Sequence, residues 1–296
     1  MTATTPAAVI DIIEPPKPLG QQFYEFCRRN KTVVFGSILL LSMVIIAVFA
    51  PFFAPGDPLA LAPARRLRPP SETYWFGTDM FGRDVFTRTI YGTRISLIVG
   101  ISVSVVSTIV GLVIGMLSGY VRIVDAIVMR IMDGLMAIPG ILLAIAMMAL
   151  TKASVENVII AISIPEIPRV VRLVRGVVLQ IREQPYIEAA QSIGTKFHRI
   201  LIKHILPNIM APLIVQATYI CAAAVLIEAG LSFLGAGTPP NIPSWGNIMA
   251  EGRTFFQIAF WIILFPGLFL SVTVLAINLL GDGLRDALDP RLARRM

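Results

Sequence analysis

The sequence is poor in charged residues and in cysteine. Asp, Glu, Lys and Arg make up 15% of the 296 residues, whereas 56% are hydrophobic. Soluble globular chains average about 25% charged residues, so this deficit argues against a soluble enzyme and favours a membrane protein. The two cysteines, Cys27 and Cys221, lie before the first apolar run and inside a late one, so we expect no structural disulfide.

Motifs for catalysis, metal binding and ATP binding are also missing. The sequence holds no G-x-x-x-x-G-K-[ST] loop, which would cradle ATP phosphates. Its two histidines, His198 and His204, fall on different helical faces without a carboxylate or thiol cluster nearby. We therefore expect no enzyme activity, no metal site and no cofactor. If ATP drives the process, we expect its hydrolysis on a separate chain.

Long apolar runs are what the sequence does contain. A helix needs about 20 apolar residues to cross a bilayer. Six segments predict an all-α, polytopic membrane protein with six transmembrane helices. They are Val33–Phe53, Ile95–Val121, Ala126–Thr151, Asn157–Gln180, Asn208–Gly237 and Phe256–Gly281. The fourth segment is the weakest, because two prolines and Glu166 interrupt it and three arginines follow.

The distribution of positive charge predicts the orientation in the membrane. With six spans both termini lie on one side, and about two thirds of the 25 Lys and Arg then share that side, which makes it the cytoplasm. The same rule accounts for the net charge of +7 without nucleic acid as a partner. The predicted regions are a cytoplasmic tail (1–32), the first transmembrane helix (33–53), an extracytoplasmic loop (54–91), a five-helix transport core (92–283) with a cytoplasmic segment (181–207), and a cytoplasmic tail (284–296).

The cytoplasmic segment 181–207 predicts two short helices that meet at an angle. Glu188 lies near the start of the first helix, where the helix dipole favours a carboxylate. Gly194 interrupts that helix, and Thr195 is predicted to cap the second one. Pro207 is predicted to end the second helix and to start the fifth span.

An amphipathic pattern runs through this segment. Apolar side chains recur at three- and four-residue steps at Tyr186, Ile187, Ala190, Ile193 and Phe197. Small residues beside them would let the helix sit deep in a groove of a partner protein. Lipid headgroups are the alternative surface for such a helix. The pattern alone leaves both interpretations open.

Several stretches resemble a known family. Permease subunits of bacterial ABC importers carry a cytoplasmic signature that reads E-A-A-x-x-x-G, then nine residues, then I-x-L-P. The segment resembles this signature at Glu188-Ala189-Ala190, Gly194 and Leu206-Pro207, with His204 in place of the isoleucine. The strings Phe76–Leu97, Glu228–Arg253 and Phe265–Arg291 are similar to the second, C-type permease of the dipeptide/oligopeptide/nickel importers. Residues Ser163–Arg172 depart from the usual pattern of that family.

The resemblance implies a fold, partners and a docking site. It implies the type I ABC importer permease fold in a bacterial plasma (inner) membrane, and import of peptides or related small solutes through a pore of which this chain forms half. The implied partners are a second homologous permease, two ATP-binding subunits, an extracytoplasmic substrate-binding protein and the lipid bilayer. The implied ATPase-coupling residues are Gln184, Tyr186, Glu188, Ala189, Ala190, Gly194, Thr195 and Lys196. A secondary transporter or channel not driven by ATP, or a membrane scaffold, is the alternative.

Three further features have two interpretations each. Glu228 and Arg169 lie within apolar segments, where a charge must face protein or water. Either residue could line the translocation path or make a structural contact. Gly111, Gly115 and Gly119 repeat at four-residue steps, which predicts close helix packing, within this chain or against a second permease.

Overall fold

The computed structural model describes residues 19–288, and the regular secondary structure of this part is helical, without a strand. Twelve α-helices follow one another in chain order. They are α1 Leu19–Arg29, α2 Lys31–Val48, α3 Ala50–Phe53, α4 Val85–Tyr120, α5 Arg122–Met136, α6 Gly140–Leu150, α7 Val155–Arg182, α8 Pro185–Ser192, α9 Phe197–Ile200, α10 Leu206–Phe233, α11 Trp245–Gly252 and α12 Trp261–Leu288. Residues 1–18 and 289–296, which include most of both predicted tails, lie outside the described residues.

Four continuous helical stretches among the described residues are long and apolar enough to cross a membrane: α2, α4, Phe197–Phe233 and α12. A fifth results if α5 and α6 together count as one span. The predicted fourth span is helical as α7, 28 residues long, but it carries too many charged residues to count by this measure. The all-helical membrane class is therefore confirmed, whereas the number of six spans stays a prediction.

The predicted span Ala126–Thr151 is not one helix. It is divided into α5 and α6, which are bent by 87° relative to each other. Pro139 is the N-cap of α6, and its lack of an N–H and its fixed φ disfavour a continuous helix at this position. The pair forms a broken span or a re-entrant loop.

The ends of helices α4 and α12 differ from the ends of the predicted apolar spans. Helix α4 begins at Val85, ten residues before the predicted span, because the Asp84 carboxylate accepts hydrogen bonds from the Phe86 and Thr87 N–H groups. Residues 85–91 of the predicted loop 54–91 are therefore helical. Helix α12 starts at Trp261 rather than Phe256 and continues to Leu288, beyond the predicted core boundary at 283.

The glycine repeat of α4 packs against α7 of the same chain. A Cβ on Gly111, Gly115 or Gly119 would lie 2.5–2.7 Å from the Cβ of Val170, Val174 and Val178 respectively. No real Cβ comes so close, so each glycine makes room for one valine. The glycine repeat therefore serves packing within the chain, and α7 lies along the C-terminal part of α4.

At the Val85 end of α4 the polar groups form a closed structure, here called the cap (residues 54–84 and 234–260). Asp79 and Arg88 have no exposed surface, and Arg88 Nη1 donates to Asp79 Oδ2 at 2.7 Å and to Glu251 Oε2 at 2.5 Å. Arg83 Nε donates to Asp79 Oδ2 at 2.6 Å. Since each buried charge has an opposite partner, ion pairs fasten the two parts of the cap to each other and to α4.

Candidate functional site

Helix α8 ends at Gly194, as the sequence predicted. Gly194 has φ +78°, in the left-handed region that glycine adopts most readily. Its N–H donates to the Gln191 carbonyl at 2.9 Å, and the Thr195 N–H donates to the Ala190 carbonyl at 3.0 Å. This pair of bonds is the Schellman motif, which satisfies carbonyls that a helix end leaves open. A Cβ on Gly194 would meet nothing within 4 Å, so backbone conformation rather than space selects glycine here.

The segment is fixed to the body of the protein by its other face. Ile187 has no exposed surface and lies in the main hydrophobic core. The same core cluster contains Ile181, Ile200, Leu201 and Ile205 from both sides of α8. Gln191 Nε2 donates to the Tyr120 hydroxyl at 3.2 Å, which ties α8 to the end of α4. Helix α8 is therefore packed on the core that α4, α7 and α10 share.

Most of the predicted coupling residues face outward. Gln184, Tyr186, Glu188, Ala189, Gly194 and Lys196 are exposed, and Thr195 is half-buried. Ala190 is buried within the chain, so it is the least accessible of the predicted coupling residues, and its contact with a partner stays a prediction. Ala190 is buried because it follows Ile187 by three residues and shares its inward face.

The amphipathic pattern assigned one face incorrectly. Ile193 was grouped with the apolar residues of the inward face, but it is 83% exposed, and Tyr186 is 47% exposed. Ile193 follows the last residue of α8 and is its C-cap, so it does not continue the helical periodicity. The segment thus presents apolar side chains outward as well as inward.

The second half of the segment also differs from the prediction. The N-cap of α9 is Lys196, without a side-chain cap, so Thr195 does not cap this helix. Pro207 does not end it either, because α9 continues into α10 through a π-helical turn, Leu201–Ile205. The Leu206 N–H donates to the Leu201 carbonyl in the wider π pattern. Pro207 then occupies the first turn of α10, where its missing N–H costs nothing.

A second polar feature, here called the charged strip, lies between α5 and α7. It consists of Glu166, Arg169, Arg172 and Arg175 of α7 with Asp125 and Asp133 of α5. Arg169 Nη1 donates to Glu166 Oε2 at 3.1 Å, and Arg172 Nη2 donates to Asp133 Oδ1 at 2.6 Å. Arg175 holds Asp125 with two nitrogens, one at 2.7 Å. The sequence analysis missed both aspartates, although Asp133 is a charge inside an apolar run.

The strip lies at the middle of a membrane-length helix and is open on one side. Arg169 is near the midpoint of α7, about 20 Å from Arg182 at 1.5 Å per residue. Its side chain is 56% exposed, and that of Asp133 is 59% exposed. The predicted fourth span would place Arg169 at mid-bilayer, where a charged side chain costs about 3 kcal/mol on insertion scales, so this face would meet water or protein rather than lipid.

Glu228 lies in a different environment. It has no exposed surface and accepts hydrogen bonds from Ser232 at 2.8 Å and from Ser96 at 3.2 Å. Ser232 Oγ also accepts from the Thr238 N–H at 3.2 Å, and Asn247 Nδ2 donates to the Thr238 carbonyl at 3.1 Å. Glu228 is thus the inner member of a network that holds the loop after α10. Trp245 of α11 is fully buried, and its indole N–H donates to the Thr89 carbonyl at 3.1 Å.

Membrane-length helices, a charged face at mid-depth and an outward-facing segment anchored in the core indicate an integral membrane transport protein. Residues 108–294 match the family described as the binding-protein-dependent transport system inner membrane component. Residues 19–70 match the N-terminal TM domain of oligopeptide transport permease C. The chain belongs to this family of inner-membrane transport components, and it is a permease subunit of an ABC importer.

Curated relatives cover nearly the whole chain. A probable peptide ABC transporter permease protein, y4tQ, of Sinorhizobium fredii is 55% identical over 90% of this chain and 92% of its own length. The dipeptide transport system permease protein DppC of Alkalihalophilus pseudofirmus is 44% identical over 92% and 90%. The oligopeptide transport system permease protein OppC of Bacillus subtilis is 39% identical over 90% and 88%.

A solved structure shares the fold. The MetNI methionine ABC transporter, in an inward-facing conformation, matches with a TM-score of 0.50 and 22% identity, over 65% of this chain and 94% of the other. This likeness supports the type I importer permease fold that the signature implied. It shows the fold alone.

Proposed function

We propose that this chain forms half of the translocation pore of an ATP-driven importer for peptides and that its segment 181–207 docks on an ATPase subunit. The names of the relatives support peptides as the solute. The observation that carries the docking site is the combination of a fully buried Ile187 with an 83% exposed Ile193 in one short helical segment. Ile187 anchors the segment in the core, and Ile193 leaves an apolar side chain exposed for a partner to cover.

The composition of α8 favours a protein partner over lipid headgroups. Helices that lie on anionic membranes carry Lys and Arg on their polar face. Helix α8, with the sequence PYIEAAQS, has no basic residue and has Glu188 in its first turn. Exposed Tyr186 and Ile193 flank the small Ala189, which leaves a shallow surface that a groove in another protein can cover.

The complete importer would contain further chains. We propose a second homologous permease to close the pore, two ATP-binding subunits that hold the two coupling segments, and an extracytoplasmic substrate-binding protein. In this arrangement the coupling segment is cytoplasmic, and so are both termini, in a bacterial inner membrane. ATP binding would close the ATPases, displace α8, and move α4, α7 and α10 through the core contacts of Ile187.

Purification of the tagged chain from its native membrane in mild detergent, followed by mass spectrometry, tests this assembly. We expect a second permease-like chain and one or two proteins with phosphate-binding loops. The variant Ile193→Glu should still copurify with the second permease but lose the ATP-binding chains. Its matched control, Ile193→Leu, should copurify with both. A wild-type chain that arrives alone and transports in vesicles without ATP would contradict the proposal.

A further inference from the structure

The arginines of the charged strip differ in how completely they are paired. Arg175 binds both oxygens of Asp125 through two nitrogens. Within the described residues, Arg169 makes one hydrogen bond, to Glu166, and Arg172 makes one, to Asp133. A guanidinium carries five N–H donors, so Arg169 and Arg172 keep donors directed to the open side.

The strip carries as many negative as positive charges. Its three arginines face three carboxylates, so a solute meets no net charge along it. A face of one sign would trap an oppositely charged solute, whereas transit needs sites that bind weakly enough to release. A balanced strip suits a solute that carries both charges. Guanidinium pairs with carboxylate in a planar, two-point geometry, and the exposed Asp133 can accept an ammonium group.

A cleft of about 520 Å³ lies between α7, α10 and α12, and Leu173 forms its α7 side. Leu173 follows Arg169 by four residues, so the two side chains lie on the same face of α7. The cleft also contains polar side chains on helices that are otherwise apolar, namely Asn208, Gln216, Tyr219 and Arg285. Polar groups are therefore available to a solute about one helical turn from Arg169 as well as in the strip itself.

We propose that the charged strip is a transit site for zwitterionic peptides. Arg169 takes the peptide's terminal carboxylate, and Asp133, held by Arg172, takes its terminal ammonium group. Along α7, Arg169 and Arg172 are about 5 Å apart, and Asp133 lies 2.6 Å from Arg172, so Arg169 and Asp133 can engage the two termini of an extended di- or tripeptide, which are about 7–10 Å apart. This assignment rests on the proposed import function and adds the solute chemistry that the pore selects.

Accessibility of the strip is tested first, because this measurement needs no substrate. In a background with Cys27 and Cys221 replaced by Ser, Arg169→Cys and Arg172→Cys should react with a charged, membrane-impermeant thiol reagent. Leu41→Cys, exposed in the uncharged part of α2 that follows Lys31, is the matched control and should not react. Strip cysteines that stay as unreactive as Leu41→Cys would overturn the proposal.

Transport then tests the role of the charge. The whole importer is reconstituted with its binding protein, and uptake of a library of di- and tripeptides with free termini is measured by mass spectrometry. The Arg169→Gln, Arg172→Gln pair should lower uptake about tenfold, the loss expected for a charge-assisted hydrogen bond. The corresponding Lys pair should recover part of this uptake, and ATP hydrolysis stimulated by the binding protein should persist in both.

The outcomes separate this inference from the proposed function. A wild-type importer that takes up no peptide from the library contradicts the proposed peptide function. A wild-type importer that takes up peptides, with equal uptake by the Gln pair, overturns the strip alone. Equal losses of uptake and of stimulated ATP hydrolysis in the Gln and Lys pairs would mean that the arginines only hold α5 against α7.

Discussion

At the residue scale, contacts rather than residue type decide what each unusual side chain does. Glu228 and Arg169 are both charges in apolar segments, yet the structure separates them. Glu228 is enclosed and hydrogen-bonded to Ser96 and Ser232, while Arg169 is more than half exposed. We therefore propose a structural role for Glu228 in holding the cap and retain Arg169 as a residue of the path.

Glycine in α4 is a second case in which one residue carries a large effect. Gly115→Leu should destabilise the protein by about 1–3 kcal/mol, because the new side chain must enter space that Val174 occupies. The measurement is thermal unfolding of the purified protein in detergent, where we expect a lower midpoint. Gly134→Ala on α5 is the control, because its Cβ meets nothing within 4 Å. A midpoint equal to wild type in Gly115→Leu would contradict the α4–α7 packing.

At the element scale, we propose that α8 passes movement of a partner to the core, because one side of α8 is buried and the other is exposed. Ile187 is held in the core, and Gly194 ends the helix at a left-handed residue, so the outward face has a fixed position. The π-helical turn after α9 joins the segment to α10 without a break in the helix, so displacement of the segment reaches a membrane-length helix directly.

Reversal of the charge on this face should uncouple hydrolysis from transport. Glu188→Arg leaves the inward contacts intact, since the side chain is exposed, so the chain should fold and assemble in the membrane at wild-type levels. We expect a loss of uptake of at least about tenfold, because a like charge at an interface costs several kcal/mol. Glu188→Gln should lose less. Wild-type uptake by Glu188→Arg, at equal expression, would remove α8 from the docking site.

At the scale of the whole molecule, the ends of the helix bundle are built for different tasks. The cap is fixed by the ion pairs of Asp79, Arg88 and Glu251 and by a network of hydroxyl and amide groups. The opposite end carries the segment with exposed apolar side chains. The cap is held by many polar contacts, and the segment 181–207 at the other end exposes apolar side chains. This difference suits the proposed importer, in which solute binds on one side of the membrane and the ATPase docks on the other.

The proposed orientation can be measured on intact cells. Leu61→Cys in the cap and Ile193→Cys in the coupling segment are both strongly exposed, so each thiol is open to reagent. In a background with Cys27 and Cys221 replaced by Ser, an impermeant reagent should label Leu61→Cys after the outer envelope is opened. It should label Ile193→Cys only once the inner membrane is permeabilised. The reverse pattern would invert the proposed topology.

The sequence by itself determined the local features of this protein. Apolar runs predicted membrane helices, and Gly194 predicted the end of α8, because hydropathy and backbone conformation depend on a residue and its neighbours. Only the tertiary structure decided which side of α8 is buried, and it alone brought Arg172 to Asp133, 39 residues apart, and Ser96 to Glu228, 132 residues apart. A periodic pattern predicts which side of a helix is apolar, but it does not predict which other helix packs against that side. The charged strip forms only because α5 packs against α7.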